Sequence, residues 1–300
     1  MTTRAVSPPG LASRGAGLVA DYVRLTKPRV ISLLLLTTLL AMIMARHGWP
    51  SGRRVLWTMV GGYLAAGGAN AINQWFDRDI DARMRRTSNR PIVAGRIGAT
   101  HALIYALVIS LASTLILGVG VNWLTAALAM LGLVLYVFLY TWWLKRTTTQ
   151  NIVIGGAAGA VPPLVGWAAA DGSIGLGALI LFAIVFYWTP PHFWALALLL
   201  RRDYAEAGVP MLPVVRGVEE TAHQVLLWTA VLVGVSLLPV AAGISGGLYL
   251  ASALVLGALF LASAWQLSRA PDERRARATF SYSMLYLALL FAALAIDAVL

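Results

Sequence analysis

Asn73, Asp77 and Asp81 stand at i, i+4 and i+8, a spacing that puts all three side chains on one face of a helix. They fall in residues 70–96, NAINQWFDRDIDARMRRTSNRPIVAGR, where three aspartates and six arginines follow an apolar run. A carboxylate next to a membrane interior has to be balanced by a cation or a metal, because an unpaired charge is strongly disfavoured out of water. Asn and Asp offer hard oxygens, and Mg²⁺ takes a few such ligands together with phosphate oxygens. A Mg²⁺–diphosphate would balance the carboxylates and the arginines at once. The plainer alternative is a solvated loop in which the aspartates pair with Arg78, Arg83, Arg85 and Arg86. Asn73 favours the ligand-binding reading, since it continues the same face into the apolar run. Asp79 points off that face and is expected to pair with an arginine.

Other polar groups accompany this cluster. Arg86 and Arg90, four residues apart, have the geometry to donate to phosphate oxygens. Lys145 and Arg146 close an apolar run. A second polar loop, Arg201 to Pro210, carries Asp203 and Glu206. His192 lies in Thr189-Pro190-Pro191-His192-Phe193-Trp194; if helical, it sits roughly 16 Å deeper than Asp203. An intramembrane histidine is a functional candidate. His47, His101 and His223 lie near the ends of apolar runs and are assigned no role.

These residues are set in a chain of 300 residues, 59% hydrophobic and only 12% charged, the composition of an integral membrane protein. With no cysteine, disulfides, zinc–thiolate sites and thiolate catalysis are excluded. The net charge of +11 does not indicate nucleic acid, because the basic residues sit between apolar runs. Nine runs have the length of a membrane span: about 30–45, 55–75, 100–119, 122–142, 151–170, 174–197, 222–243, 246–267 and 279–298. With the N-terminus cytoplasmic, 20 of the 23 Lys and Arg fall on the inside, which places the C-terminus outside. The expected organisation is a disordered cytoplasmic tail over residues 1–20, without the apolar core of a signal peptide, and a single nine-helix domain over 21–300. The mixed-charge run from Arg269 to Arg277 is expected to be a solvated loop. The two polar loops each follow an even-numbered span, so a repeated four-helix unit would bring them together across a central cavity.

The Asn73-x₃-Asp77-x₃-Asp81 pattern resembles the first aspartate motif of the UbiA-type intramembrane prenyltransferases. Four longer strings, NQWFDRDIDARMRRTSNRPIVAGRI, YTWWLKRTTTQNIVIGGAAGAVPPLVGW, WTPPHFWALAL and DYAEAGVPMLP, resemble the haem-farnesylating branch of that family, as does LTKPRVISLLLLTT near the start. The resemblance runs from about residue 24 to 216. It implies an all-α membrane protein with nine transmembrane helices around a central cavity open to the cytoplasmic face. It implies farnesyl transfer from farnesyl diphosphate to the 2-vinyl group of haem B, with addition of water, giving haem O and pyrophosphate. Mg²⁺ would be held by Asn73, Asp77, Asp81 and Asp203. Arg78, Arg86, Arg90, Lys145 and Arg146 would neutralise the diphosphate, with Lys145 also catalytic, and His192 would meet the haem. The setting implied is a bacterial plasma membrane or an equivalent energy-transducing membrane, with a downstream haem-modifying enzyme or oxidase assembly factor as partner. Two departures from the wider family stand out. The second aspartate motif is reduced to Asp203 and Glu206, and Tyr140 precedes Lys145 by five residues where Tyr-x₃-Lys is frequent. The competing functions are a quinone-precursor or chlorin prenyltransferase, a secondary transporter, and a haem carrier.

Overall fold

The computed structural model describes residues 11–300. Among these, nine helices are long and apolar enough to cross a membrane: Pro28–Arg46, Gly52–Phe76, Ala99–Gly120, Trp123–Thr147, Asn151–Asp171, Leu176–Leu199, Val218–Ala241, Gly247–Arg269 and Glu273–Asp297. Taken in chain order as the first to ninth spans, they coincide with the nine apolar runs of the sequence, with ends moved by a few residues. No strand occurs among the described residues. The protein is an all-helical integral membrane protein.

Each span packs on the next, and the ninth returns to the first, so the helices form a closed ring. The fifth span also crosses the first and is the most buried of the nine. Its small residues permit that approach. A Cβ at Gly166 would overlap the carbonyl oxygen of Thr38 on the first span, and one at Gly155 would lie 2.5 Å from Cδ2 of Tyr140 on the fourth. Pro162 and Pro163 lie inside the fifth span, and neither has an N–H to donate. The Thr38 hydroxyl reaches the Pro162 carbonyl at 3.2 Å and ties this segment to the first span.

The fourth span changes winding as it nears its polar end. Leu135–Leu144 is π-helical, so residues five apart stand one above the other. Thr141 Oγ1 donates to the Tyr136 carbonyl at 2.8 Å, and the Lys145 N–H is directed to the Tyr140 carbonyl. The five-residue separation of Tyr140 and Lys145 therefore keeps both on one face, which a regular α-helix would not do.

Two expectations are corrected. Residues 1–10 of the tail expected to be disordered lie outside the described residues, but from Leu11 the chain is a helix, Leu11–Thr26. Its inner edge is anchored: Leu25 is fully buried, and buried Asp21 accepts hydrogen bonds from Arg24 (3.0 Å) and Arg96 (2.9 Å). Leu18, Val19 and Val23 are exposed on it, the two-sided character of a helix lying at a membrane interface. The loop expected over 269–277 is also shorter. Asp272 accepts from the Arg275 N–H at 2.8 Å and caps the ninth span, so Arg274, Arg275 and Arg277 belong to its first turns.

The Gly166 crossing yields a stability test. Gly166→Ala should lower stability by about 1–3 kcal/mol through overpacking. Gly234→Ala, in a helix with nothing within 4 Å of the new Cβ, should be neutral or better. Thermal unfolding in detergent checks both; equal midpoints for the two variants would show that the first and fifth spans do not meet at Gly166.

Candidate active site

The second span delivers the carboxylates. It ends at Phe76, Asp77 adopts φ −87° and ψ 6°, and a short helix, Arg78–Arg83, restarts. Hydrogen bonding runs through this joint: the Asp77 N–H donates to the Asn73 carbonyl (2.9 Å) and the Asp81 N–H to the Asp77 carbonyl (2.7 Å). Asn73, Asp77 and Asp81 thus keep the common face that their spacing predicts, and all three are buried, Asp77 completely.

Cations from three other segments meet them. Lys145 Nζ donates to Asp77 Oδ2 at 2.5 Å, and Asn73 Nδ2 donates to the same oxygen at 2.8 Å and to Thr141 Oγ1 at 3.1 Å. Lys27 Nζ, just before the first span, donates to Asn73 Oδ1 at 2.9 Å. Arg90 Nη1 donates to Asp81 Oδ2 at 2.5 Å. Arg146 forks onto the two oxygens of Asp79, each at 2.8 Å, and donates to the Phe76 carbonyl at 2.9 Å. This pairing, with further help from Arg146's charge, holds the Asp79 carboxyl at about 2. Burial, followed by repulsion from Arg90, pushes the Lys27 ammonium well below its ordinary value. Asp77, Asp79 and Asp81 are met by Lys145, Arg146 and Arg90, and Lys27 reaches the cluster through the Asn73 amide oxygen.

One oxygen is left over. Asp77 Oδ1 is buried and accepts no hydrogen bond; the nearest cation is Arg146 Nη2 at 3.5 Å. Among the described residues no three Asp, Glu or His side chains are gathered as a metal cluster, because Asp81 is turned to Arg90 and Asp203 to Arg86. The donor chemistry nonetheless fits Mg²⁺ in kind: hard oxygens from Asn73, Asp77 and Asp81, one of them unclaimed.

The second polar loop comes to the first, as its place after the sixth span predicts. Its short helix Arg201–Glu206 brings Asp203 Oδ2 to the Arg86 backbone N–H at 3.4 Å. Tyr204, Val209 and Met211 bury against Ile80 and Met84 of the first loop. Glu206 is exposed. Two arginines are not brought in. Arg78 is exposed, donates to the Trp75 carbonyl at 2.6 Å and lies 4.9 Å over the Trp75 ring. Arg86 contributes its backbone, while its side chain is exposed. His192 belongs to a separate place, between the sixth and ninth spans, where it stacks on Trp188 and Phe280.

Three contributors escape sequence reasoning. Lys27 has φ 56° and ψ 62°, a left-handed conformation uncommon outside glycine, and its backbone there aims the ammonium at Asn73. The only local signal is its place before Pro28, where the ordinary α region is disfavoured. Thr141 depends on the π winding, which no hydrophobic periodicity marks. Arg96 binds Asp21 and both the side chain (2.9 Å) and carbonyl (2.9 Å) of Asn89, pinning the first loop to the N-terminal helix.

Fold and site together define an intramembrane protein with a buried acid–base cluster at one end of a helical ring, and comparison with known proteins places it. The model of the UbiA prenyltransferase family matches residues 34–293, and the chain belongs to that family. Among its relatives, a Chloroflexus aurantiacus protein named protoheme IX farnesyltransferase is 56% identical over 280 residues, covering 93% of this chain and 48% of the relative. One of the same name from Picosynechococcus is 50% identical over 282 residues, covering 93% of this chain and 89% of the relative. The chain spans about half the length of several curated relatives it matches, the Chloroflexus protein included. Two solved structures share the fold. A digeranylgeranylglyceryl phosphate synthase superposes with a TM-score of 0.76 at 17% identity, covering 94% of this chain and 99% of that one. A UbiA homologue from Archaeoglobus fulgidus bound to DMAPP and Mg²⁺ gives 0.65 at 16% identity, covering 92% and 99%.

The Asp77–Lys145 pair is testable apart from activity. Lys145→Met leaves a buried carboxylate without its closest cation and should destabilise the protein by about 3–5 kcal/mol. Adding Asp77→Asn removes the orphaned charge and should recover most of that loss. Thermal unfolding of the two single variants and the double variant checks the coupling; additive losses would mean that the two side chains do not interact.

Proposed function

We propose that this protein transfers a farnesyl group from farnesyl diphosphate to the 2-vinyl group of haem B, with addition of water, giving haem O and pyrophosphate. The observation that carries the reading is the buried Asp77 carboxylate, with one oxygen unclaimed and four basic side chains grouped around its cluster. A polyanionic substrate arriving with a divalent cation is the partner that such a cluster can accept without stranding a charge. The names of the relatives support haem as acceptor and farnesyl as the transferred group, and the homologue bound to DMAPP and Mg²⁺ supports the donor class and the metal.

Mg²⁺ held by Asn73, Asp77, Asp81 and Asp203 would supply Lewis-acid stabilisation to the diphosphate leaving group. Lys145 and Arg90 turn from their carboxylates, and Lys27 from the Asn73 amide oxygen, to phosphate oxygens, and Arg146 at the rim completes the neutralisation. Breaking the allylic C–O bond sends its electron pair to pyrophosphate, and these cations stabilise the charge that develops there. Tyr136 and Tyr140, stacked 5.7 Å apart on the π-helical turns above Lys145, offer aromatic faces to the allylic cation. Exclusion of water from the site would protect it from premature capture. The vinyl π pair forms the new C–C bond, and water captures the resulting haem-side cation and gives up a proton. Arg78, turned away on Trp75, has no part in this. His192 is the haem-binding residue. The basic residues orient the polar end to the cytoplasm, with the N-terminus inside and the C-terminus outside.

The test is mass spectrometry of haem extracted after incubation with haem B, farnesyl diphosphate and Mg²⁺, with and without EDTA. A Mg²⁺-dependent hydroxyethylfarnesyl haem is expected, with turnover reduced about 10²-fold or more in Asp77→Asn. Bound but unmodified haem, or a prenylated quinone precursor formed in its place, would overturn the reading.

A further inference from the structure

His192 is held more tightly than a core histidine requires, and on one side only. Its Nδ1 lies 2.7 Å from Ser283 Oγ of the ninth span. Its ring stacks on Trp188 (centroids 4.1 Å, 18° between planes) and on Phe280 (4.9 Å, 29°). Trp188 is fixed in turn, its Nε1 donating to the Ser283 carbonyl at 2.7 Å. Among the described residues Nε2 has no hydrogen-bond partner, and the residue is only partly buried. A histidine serving the core alone would have both nitrogens satisfied.

The hydrogen bond of Ser283 decides where the imidazole proton sits. Ser283 Oγ also lies 2.6 Å from the Phe280 carbonyl, a group that can only accept. The hydroxyl has a single hydrogen, and that contact uses it. Oγ must therefore accept from His192, so Nδ1 carries the proton and Nε2 keeps its lone pair. Ligand histidines are oriented in this way by a partner on the other nitrogen, which also raises their basicity.

We propose that Ser283 is a positioning residue that locks His192 in the Nδ1–H tautomer and presents Nε2 to the iron of the bound haem. The inference rests on the reading of haem as acceptor and deepens it: the iron is gripped between the sixth and ninth spans, apart from the diphosphate cluster between the second and fourth.

Ferric haem is titrated into the full chain in detergent, with absorbance and electron paramagnetic resonance reporting axial ligation. Binding of farnesyl thiolodiphosphate with Mg²⁺ is measured in parallel. The wild type should show histidine-ligated haem, and His192→Ala should lose that signature. Ser283→Ala should bind haem about tenfold more weakly with an altered ligand-field spectrum, and Ser283→Thr should restore both. Diphosphate binding should be unchanged throughout. Wild-type affinity and spectrum in Ser283→Ala, with ligation lost in His192→Ala, would overturn the role of Ser283 while leaving His192 as ligand. Histidine ligation that persists in His192→Ala, or is missing in the wild type, would overturn the haem role of His192 and the inference with it. Equal loss of haem and diphosphate binding in Ser283→Ala would make the residue structural and overturn the inference.

Discussion

Asp77 is a completely buried carboxylate, and much of the polar end of the bundle is arranged around it. Desolvating a carboxylate is unfavourable by several kcal/mol, and only close cations and hydrogen bonds offset that. Lys145 and Asn73 share one of its oxygens; Arg146 stands off the other at 3.5 Å. Replacing such a pair by apolar side chains would as a rule be no less stable. The cluster is therefore better understood as a binding device than as a source of stability. Its cations are placed where a second anion can share them, and its open oxygen is placed where a metal can take it.

Three local irregularities bring the cluster together, each replacing a regular helix where regularity would misdirect a side chain. The second span stops at Asp77 yet continues its i→i+4 bonding, so the carboxylates stay in line while the chain turns into the loop. The fourth span winds as a π-helix, setting Thr141 toward Asn73 and Lys145 toward Asp77. Lys27 takes a left-handed conformation that sends its ammonium inward from the head of the first span. Strained or unusual backbone is commonly gathered at functional sites, where the surrounding structure holds it in place.

Much of this was legible in the sequence because the bilayer is a demanding solvent. Apolar runs of span length and the clustering of basic residues between them foretell the nine helices, and the spacing of Asn73, Asp77 and Asp81 foretells their common face. Asp79 pairs with an arginine as its off-face position predicts. What stayed hidden depends on backbone geometry and on contacts across long stretches of chain. The π winding leaves no mark in hydrophobic periodicity, so the pairing of Lys145 with Asp77 could not be derived from the spacing to Tyr140. Arg78 looks equivalent to its neighbours until the turn at Asp77 points it outward onto Trp75. Residues 11–20 look irregular in composition, yet belong to the helix Leu11–Thr26, whose Leu25 and Asp21 find partners on the rest of the bundle. Ser283 is one hydroxyl among many until the ninth span lays it against His192.

On the proposed reaction, the carboxylate–cation pairs are partners held in readiness and exchanged when substrate binds. The most direct test is an experimental structure of the protein with Mg²⁺ and unreactive farnesyl thiolodiphosphate. Metal is expected on Asp77, with Lys145 Nζ moved from Asp77 Oδ2 to a phosphate oxygen and Arg90 released from Asp81. A diphosphate bound elsewhere, with the Asp77–Lys145 pair intact, would contradict it.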